Sequence, residues 1–187
     1  APVKLTLIRP QSRVQWVSSW RPEPKRWAGD GAARWAPAVD RIASGDYAGA
    51  AALLSGASRA DAAAARLLAD LQVQQGELAA ALETLKPHAA DALAVALAAR
   101  LLLRDDQAVQ AQAQLDGALA RAPQHIELLL AQGEVATLDA QVDRARKAYE
   151  AVLAQQPNQA EALWGLGRIA SEREEVREAR ARLNAAL

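Results

Sequence analysis

Residues 126–159 read IELLLAQGEVATLDAQVDRARKAYEAVLAQQPNQ, and several landmarks of this stretch recur at one fixed interval along the chain. The interval from Pro123 to Pro157 equals the interval from Gly133 to Gly167. Alanine recurs at the same interval, at Ala111, Ala145 and Ala179. Three residue types that share one interval predict an array of similar helical units.

These landmarks suit the contacts that paired helices need. Gly133 and Gly167 have no Cβ, so each is expected to let the two helices of a unit approach to backbone contact. The recurring alanines should do the same from the second helix. The two prolines cannot continue a helix, and we expect them to end one unit and turn the chain into the next.

Composition agrees with an all-α chain. Hydrophobic residues make up 51% of the sequence, yet it has no Phe, no Met and only two Tyr. Alanine and leucine supply most of this share, and alanine is the strongest helix former. The chain also has no cysteine, which excludes disulfides, thiolate catalysis and thiolate metal sites.

The units resemble the tetratricopeptide repeat (TPR), which has a length of about 34 residues. Its first helix carries Leu-Gly, and its second carries spaced alanines before a closing proline. Gln132 stands where that pattern usually has leucine. The resemblance implies an all-α right-handed superhelix of about five repeats, preceded by an N-terminal segment at residues 1–30. The repeats would span residues 31–61, 62–91, 92–125, 126–159 and 160–187, the last one truncated. In that last repeat, Leu163, Leu166, Gly167 and Ala170 would belong to the first helix, and Ala179, Leu183 and Ala186 to the second.

In a TPR array the first helices line a concave groove that binds a peptide or a partner protein. The arginines predicted to line it would bind partner carboxylates, and Leu103, Leu130 and Trp164 would receive apolar residues. The alternative is that each arginine pairs with a neighbouring carboxylate of the chain. The lysine and asparagine clamp of chaperone-binding TPRs is absent from the matching positions. The predicted groove residues are Arg66, Asp70, Arg100, Leu103, Arg104, Leu130, Glu134, Trp164 and Arg168.

The N-terminal residues 1–30 lie outside the repeat. Residues 3–8 alternate as a short strand would, and residues 1–41 carry eight basic against three acidic residues, a net charge of +5. We expect the tryptophans that follow the strand to cap the open N-terminal end of the array. A segment that stacks on single-stranded nucleic acid and an interdomain linker are the alternatives; we predict no nucleic-acid partner. The tryptophans are Trp16, Trp20, Trp27 and Trp35.

The start of the chain also resembles the junction between a FecR-type β-domain and TPRs in bacterial envelope proteins. Arg9-Pro10 and Val14-Gln15-Trp16 carry this likeness, whereas Ser18 to Pro22 replace the usual Tyr-Tyr-Pro-Pro. The resemblance implies a periplasmic location within a larger envelope or assembly protein. The lack of cysteine fits the cytoplasm equally well.

Nothing in the sequence indicates catalysis. The two histidines, His88 directly after Pro87 and His125 two residues after Pro123, lie at expected turns and are interpreted as solvated. No nucleotide-binding, metalloprotease or serine-hydrolase motif occurs, so we predict no enzyme, no cofactor and no metal. The leading hypothesis is an adaptor that binds a partner in its groove, and the alternative is a passive spacer. We expect no membrane insertion, and an open C-terminal end near Leu183 and Leu187 on which a second copy could stack.

Overall fold

A computed structural model describes residues 21–185, and gives only the backbone for residues 172–176 and 178–185. Within residues 21–185 the fold is all-α, with ten α-helices and no strand. The strand predicted for residues 3–8 lies outside the described residues. The helices are α1 (Pro24–Ala28), α2 (Ala36–Ser44), α3 (Tyr47–Ser55), α4 (Ala62–Gln74), α5 (Leu78–Leu85), α6 (Ala92–Arg104), α7 (Ala108–Arg121), α8 (Ile126–Leu138), α9 (Val142–Gln155) and α10 (Ala160–Ala185).

The chain divides into two compact units, with the boundary between Pro87 and His88. In the first unit α2 pairs with α3 and α4 with α5, while α3 also packs on α4. In the second unit α6 pairs with α7 and α8 with α9, and α9 packs on α10. The first helices of successive pairs touch as well, because α8 packs against both α6 and α10. Each unit is therefore a stack of helix pairs around small and aliphatic side chains.

The turns inside the four helix pairs share one backbone conformation. The first helix of each pair ends just before a residue with positive φ: Gly45 and Gly76 at 84°, Asp106 at 60° and Ala140 at 57°. In each case the next amide donates to the carbonyl oxygen five residues earlier, at 2.8 to 2.9 Å. This is the Schellman ending, which satisfies otherwise unpaired helix carbonyls and favours glycine at the left-handed residue.

The last predicted repeat differs from the sequence expectation. The turn expected between two helices is absent, and α10 continues from Ala160 to Ala185 as one helix. Glu174 occupies the position that corresponds to Ala140 one repeat later, and the stretch 171–182 reads SEREEVREARAR, without a glycine. Such a stretch favours helix throughout, because Glu, Arg and Ala are strong helix formers. Ala179 and Leu183 therefore lie in the same helix as Leu163, and Ala186 lies outside the described residues.

Tyr149 is the largest side chain of the core between α8, α9 and α10, and it is only 4% exposed. Its ring lies against two glycines, Gly133 of α8 and Gly165 of α10. The predicted close approach at Gly133 is thus a contact with an aromatic ring. At Gly167 the prediction was wrong, because a Cβ there would meet nothing within 4 Å. Gly165, two residues earlier, provides the close contact in α10.

The described part of the N-terminal segment packs into the first unit. Helix α1 lies against α4 and, to a smaller extent, against α2. Trp27 is 1% exposed there. The segment thus packs on α4, the first helix of the second pair, more than on α2, whereas a cap over the first helix pair was expected. Trp16 and Trp20 lie outside the described residues.

Candidate partner-binding face

Arg100 is the centre of a charge network that joins three helices of the second unit. Its side chain projects from α6 and is nearly buried, with the residue 9% exposed. Its Nε donates to Glu134 Oε2 at 3.0 Å, and Nη1 donates to Glu127 Oε2 at 3.2 Å. Nη2 lies 3.7 Å from Glu161 Oε2 of α10. One guanidinium therefore ties α6 to both α8 and α10.

Glu134 accepts from two arginines of α6 at once. One carboxylate oxygen binds Arg100, and the other accepts from Arg104 Nη2 at 3.1 Å. The Arg104 side chain is 37% exposed, so its pairing is weakened by water and salt. The network thus runs from a nearly buried core at Arg100 to a solvent-facing edge at Arg104.

An exposed tryptophan lies on α10 next to this network. Trp164 is 66% exposed, although large aromatic side chains usually bury most of their surface. The Arg168 guanidinium lies over its ring, with 4.9 Å between Cζ and the ring centroid, in a cation–π arrangement. Glu161, which contacts Arg100, lies one helical turn before Trp164. A flat apolar surface with charged neighbours is therefore open to solvent.

The helix starts explain why these residues share one face. Helices α6, α8 and α10 begin at Ala92, Ile126 and Ala160, which are evenly spaced along the chain. Equivalent positions along the three helices therefore recur at the interval of the repeat. One such position is occupied by Arg100, Glu134 and Arg168, with alternating charge, and the position one turn earlier by Ala96, Leu130 and Trp164.

Two of the predicted apolar contacts lie in the core. Leu130 is 2% exposed and Leu103 is 9% exposed, so neither presents a free apolar surface to a partner. Leu130 packs in the same core cluster as Tyr149. Repeat spacing predicted that both residues line the concave groove. In the structure, neighbouring helices cover them instead.

Arg66 and Asp70 are also buried, at 1% and 0% exposure. They hold the N-terminal segment: Arg66 donates to the carbonyl oxygens of Trp27 and Ala28, and Asp70 accepts from the amide of Glu23. An external partner could reach this pair only if α1 moved away. Their placement reflects a contact between residues that are far apart in the sequence, which repeat spacing does not encode.

Sequence reasoning missed Glu127, Glu161 and Tyr149 as parts of this region. Glu127 and Glu161 are separated by the same interval as Gly133 and Gly167, so the repeat itself carried a signal for them. Burial raises the pKa of the Tyr149 phenol; a hydrogen bond from Thr137 opposes this, and the nearby charge of Glu134 adds to it. The buried phenol thus lies close enough to the network to be affected by its charges.

Three of the described basic residues of the N-terminal region, Arg26, Arg34 and Arg41, have acidic partners. Arg26 lies 3.1 Å from Glu23, and Arg41 lies 2.7 Å from Asp46. Arg34 pairs with Asp61, the N-cap of α4. These basic side chains therefore contact acidic groups of their own chain.

The predicted solvent exposure of the histidines is only partly correct. His88 ends a short 3₁₀ turn and His125 is the N-cap of α8, and both are half-buried. Among the side chains that the structure describes, those of residues 21–171 and 177, no three His, Asp or Glu are grouped so that they could hold a metal ion. None of the helices in this part of the chain combines the length and apolar character needed to cross a bilayer.

No protein-family model matches the chain, and searches of curated proteins and of solved structures return no match.

Proposed function

We propose that the second unit is a non-enzymatic interaction module that binds a protein or peptide on the face formed by α6, α8 and α10. The observation that carries the proposal is Trp164, which is 66% exposed beside a charge network. Exposed tryptophan and arginine are the residue types that contribute most to protein interfaces. The partner that fits is an extended peptide or a helix with an apolar residue for the Trp164 ring.

The charged residues of this face indicate which charge the bound segment should carry. Arg104 is the more exposed cation of the network, and a partner carboxylate could contact it while Glu134 holds it in position. Arg168 keeps the Trp164 ring oriented through its stacking. We therefore expect the bound segment to carry an acidic residue near its apolar anchor.

A peptide-display selection followed by calorimetry tests this proposal. Peptides selected on the wild-type protein should lose at least tenfold in affinity with Trp164→Ala. The matched control is Val109→Ala, because Val109 is 85% exposed but lies on α7, outside the proposed face. Equal effects of the two substitutions, or no selectable peptide, would contradict the proposal.

A passive spacer is the second candidate, and the network itself favours it. Arg100 is satisfied by three carboxylates of its own chain, as expected of a residue that stiffens a stack of helices. A spacer predicts that Trp164→Ala leaves every interaction of the complete protein unchanged.

The family and the cellular location belong to the same proposal. The stacked helix pairs, and the equal spacing of the landmarks from residue 111 onward, support assignment to the TPR class. The resemblance at Arg9-Pro10 and Val14-Gln15-Trp16 supports a bacterial envelope protein in the periplasm. Fractionation of cells that produce the complete protein would test the location.

A further inference from the structure

In the first unit, α4 holds the one-turn helix α1 at both ends. Asp70 Oδ2 accepts from the backbone amide of Glu23, the N-cap of α1, at 2.7 Å. Arg66 Nε donates to the carbonyl oxygen of Trp27 at 2.6 Å, and its Nη2 donates to that of Ala28 at 3.1 Å. A carboxylate therefore binds the amide end of the helix and a guanidinium binds the carbonyl end.

This arrangement matches the polarity of a helix. The first amides and the last carbonyls of any helix have no partner within it, and together they form a partial positive and a partial negative end. Arg66 and Asp70 are four residues apart on α4, so they lie one turn apart on the same side of that helix. Their spacing therefore suits a bound helix of about one turn.

Trp27 supplies the largest apolar part of the contact. Trp27 is 1% exposed, and the adjacent Ala28 is 0% exposed. Gly31, which follows α1 closely, packs directly on Ala63 of α4, and a Cβ there would overlap the Ala63 side chain. Lys25, by contrast, is exposed. Arg66 Nη2 also lies 3.6 Å from Asp30 Oδ1, just after α1. Recognition thus depends on the two ends of the backbone, on the buried Trp27 and Ala28, and on this ion pair.

The bound segment depends on α4 for its own structure. Helix α1 has five residues, which is far below the length at which an isolated helix is stable in water. Pro24 begins it and Gly29 ends it, the latter with φ of 52°. The residues that connect it to α2 include Ala32, Ala33 and Arg34, which are exposed. The segment is therefore held by its contacts with α4, as a bound peptide would be, and an exposed connection joins it to α2.

From this geometry we propose that the α4 face is a recognition site for a short tryptophan-bearing helix, and that residues 23–28 are its intramolecular ligand. A segment of the same type, Glu-Pro-x-x-Trp-Ala, would exchange with it. This inference goes beyond the proposed function, because it concerns the other unit and uses Arg66, Asp70 and Trp27 instead of Trp164.

A cleavage and exchange experiment on the full chain tests the proposal. A protease site inserted between Ala32 and Ala33 would be cut under native conditions, with a tag at the C-terminus to retain the protein. The synthetic peptide RPEPKRWAGDG, residues 21–31, would then be added to displace the N-terminal fragment. We expect the fragment to remain bound after cleavage and to be released by excess peptide.

Altered peptides make the test specific without changing the protein fold. Trp27→Ala removes the apolar anchor, and N-methylation at Glu23 removes the hydrogen bond to Asp70, so each should raise the peptide concentration needed for release at least tenfold. Lys25→Ala is the matched control and should compete like the unmodified peptide. Equal competition by all four peptides, or a fragment that no excess of peptide displaces, would overturn the proposal. Neither outcome bears on binding at Trp164, which is assayed separately.

Discussion

The ring of Tyr149 lies so close to Gly133 that a Cβ built on this glycine would fall 2.5 Å from Tyr149 Cε1. Gly165 approaches the same ring from α10, where a Cβ would lie 2.5 Å from Cε2. Carbon atoms do not approach this closely without displacement of the ring or of a helix. The two glycines therefore provide the space in which three helices pack around one tyrosine.

Alanine substitutions should lower stability at Gly133 and Gly165, which contact the Tyr149 ring, and raise it at Gly167, which does not. We expect Gly133→Ala and Gly165→Ala each to lower the free energy of unfolding by about 2 kcal/mol, because overpacking outweighs the better helix propensity. Gly167→Ala is the control; its Cβ meets nothing within 4 Å, so it should raise stability by up to about 1 kcal/mol. Urea unfolding measures all three, and a stabilised Gly133→Ala would contradict the packing described.

The turn between α8 and α9 should be improved by a glycine. Ala140 has φ of 57°, a conformation that costs a residue with a Cβ roughly 1 kcal/mol and glycine almost nothing. Ala140→Gly should therefore raise the thermal unfolding midpoint. Ala113→Gly, at an exposed position inside α7, should lower it by a similar amount. If both substitutions destabilise equally, the left-handed conformation at residue 140 is incorrect.

Glu134 should matter more to stability than an exposed carboxylate does. Glu134→Gln weakens two arginine contacts at once, and Arg100 is nearly buried, so we expect a loss of about 1–2 kcal/mol. Glu127 and Glu161 limit the loss because they still contact Arg100. Glu83→Gln, which removes an exposed pair with Lys86, should cost less than about 0.5 kcal/mol. If Glu134→Gln and Glu83→Gln lower the free energy of unfolding equally in chemical denaturation, the charge network does not stabilise the packed helices.

Tyr149 should make the protein less stable in alkali. Burial raises the pKa of its phenol above the ordinary value of 10.0, so above about pH 10 the unfolded chain loses this proton while the folded chain keeps it. Stability from this group is therefore fully present below about pH 10 and is lost as the pH rises through the folded pKa.

A variant with one tyrosine makes this measurable. The chain has two tyrosines, so in Tyr47→Phe the ultraviolet signal of tyrosinate comes from Tyr149 alone. Its midpoint in the folded protein should lie above about 10 and return to about 10 in denaturant. A midpoint in the folded protein at or below that value would contradict the burial of this side chain.

Much of the local structure follows from the sequence. Alanine and leucine favour helix, and Gly45 and Gly76 are placed where two helices end in left-handed residues. The spacing of the repeat predicts equivalent positions on α6, α8 and α10, including those of Arg100, Glu134 and Arg168. The unbroken α10 is also a local property, because the residues around Glu174 are mostly strong helix formers; the repeat pattern had suggested a turn there.

Tertiary structure alone decides which of those positions a partner can reach. Arg66 and Asp70 occupy predicted groove positions, yet α1 covers them because they bind backbone groups from a distant part of the sequence. Arg100 has the same predicted role, yet three carboxylates surround it and Trp164 is left exposed. Gly165 contacts the Tyr149 ring, whereas Gly167 faces open space. Helix formation depends on neighbours along the chain, whereas exposure and pairing depend on residues that only folding brings together.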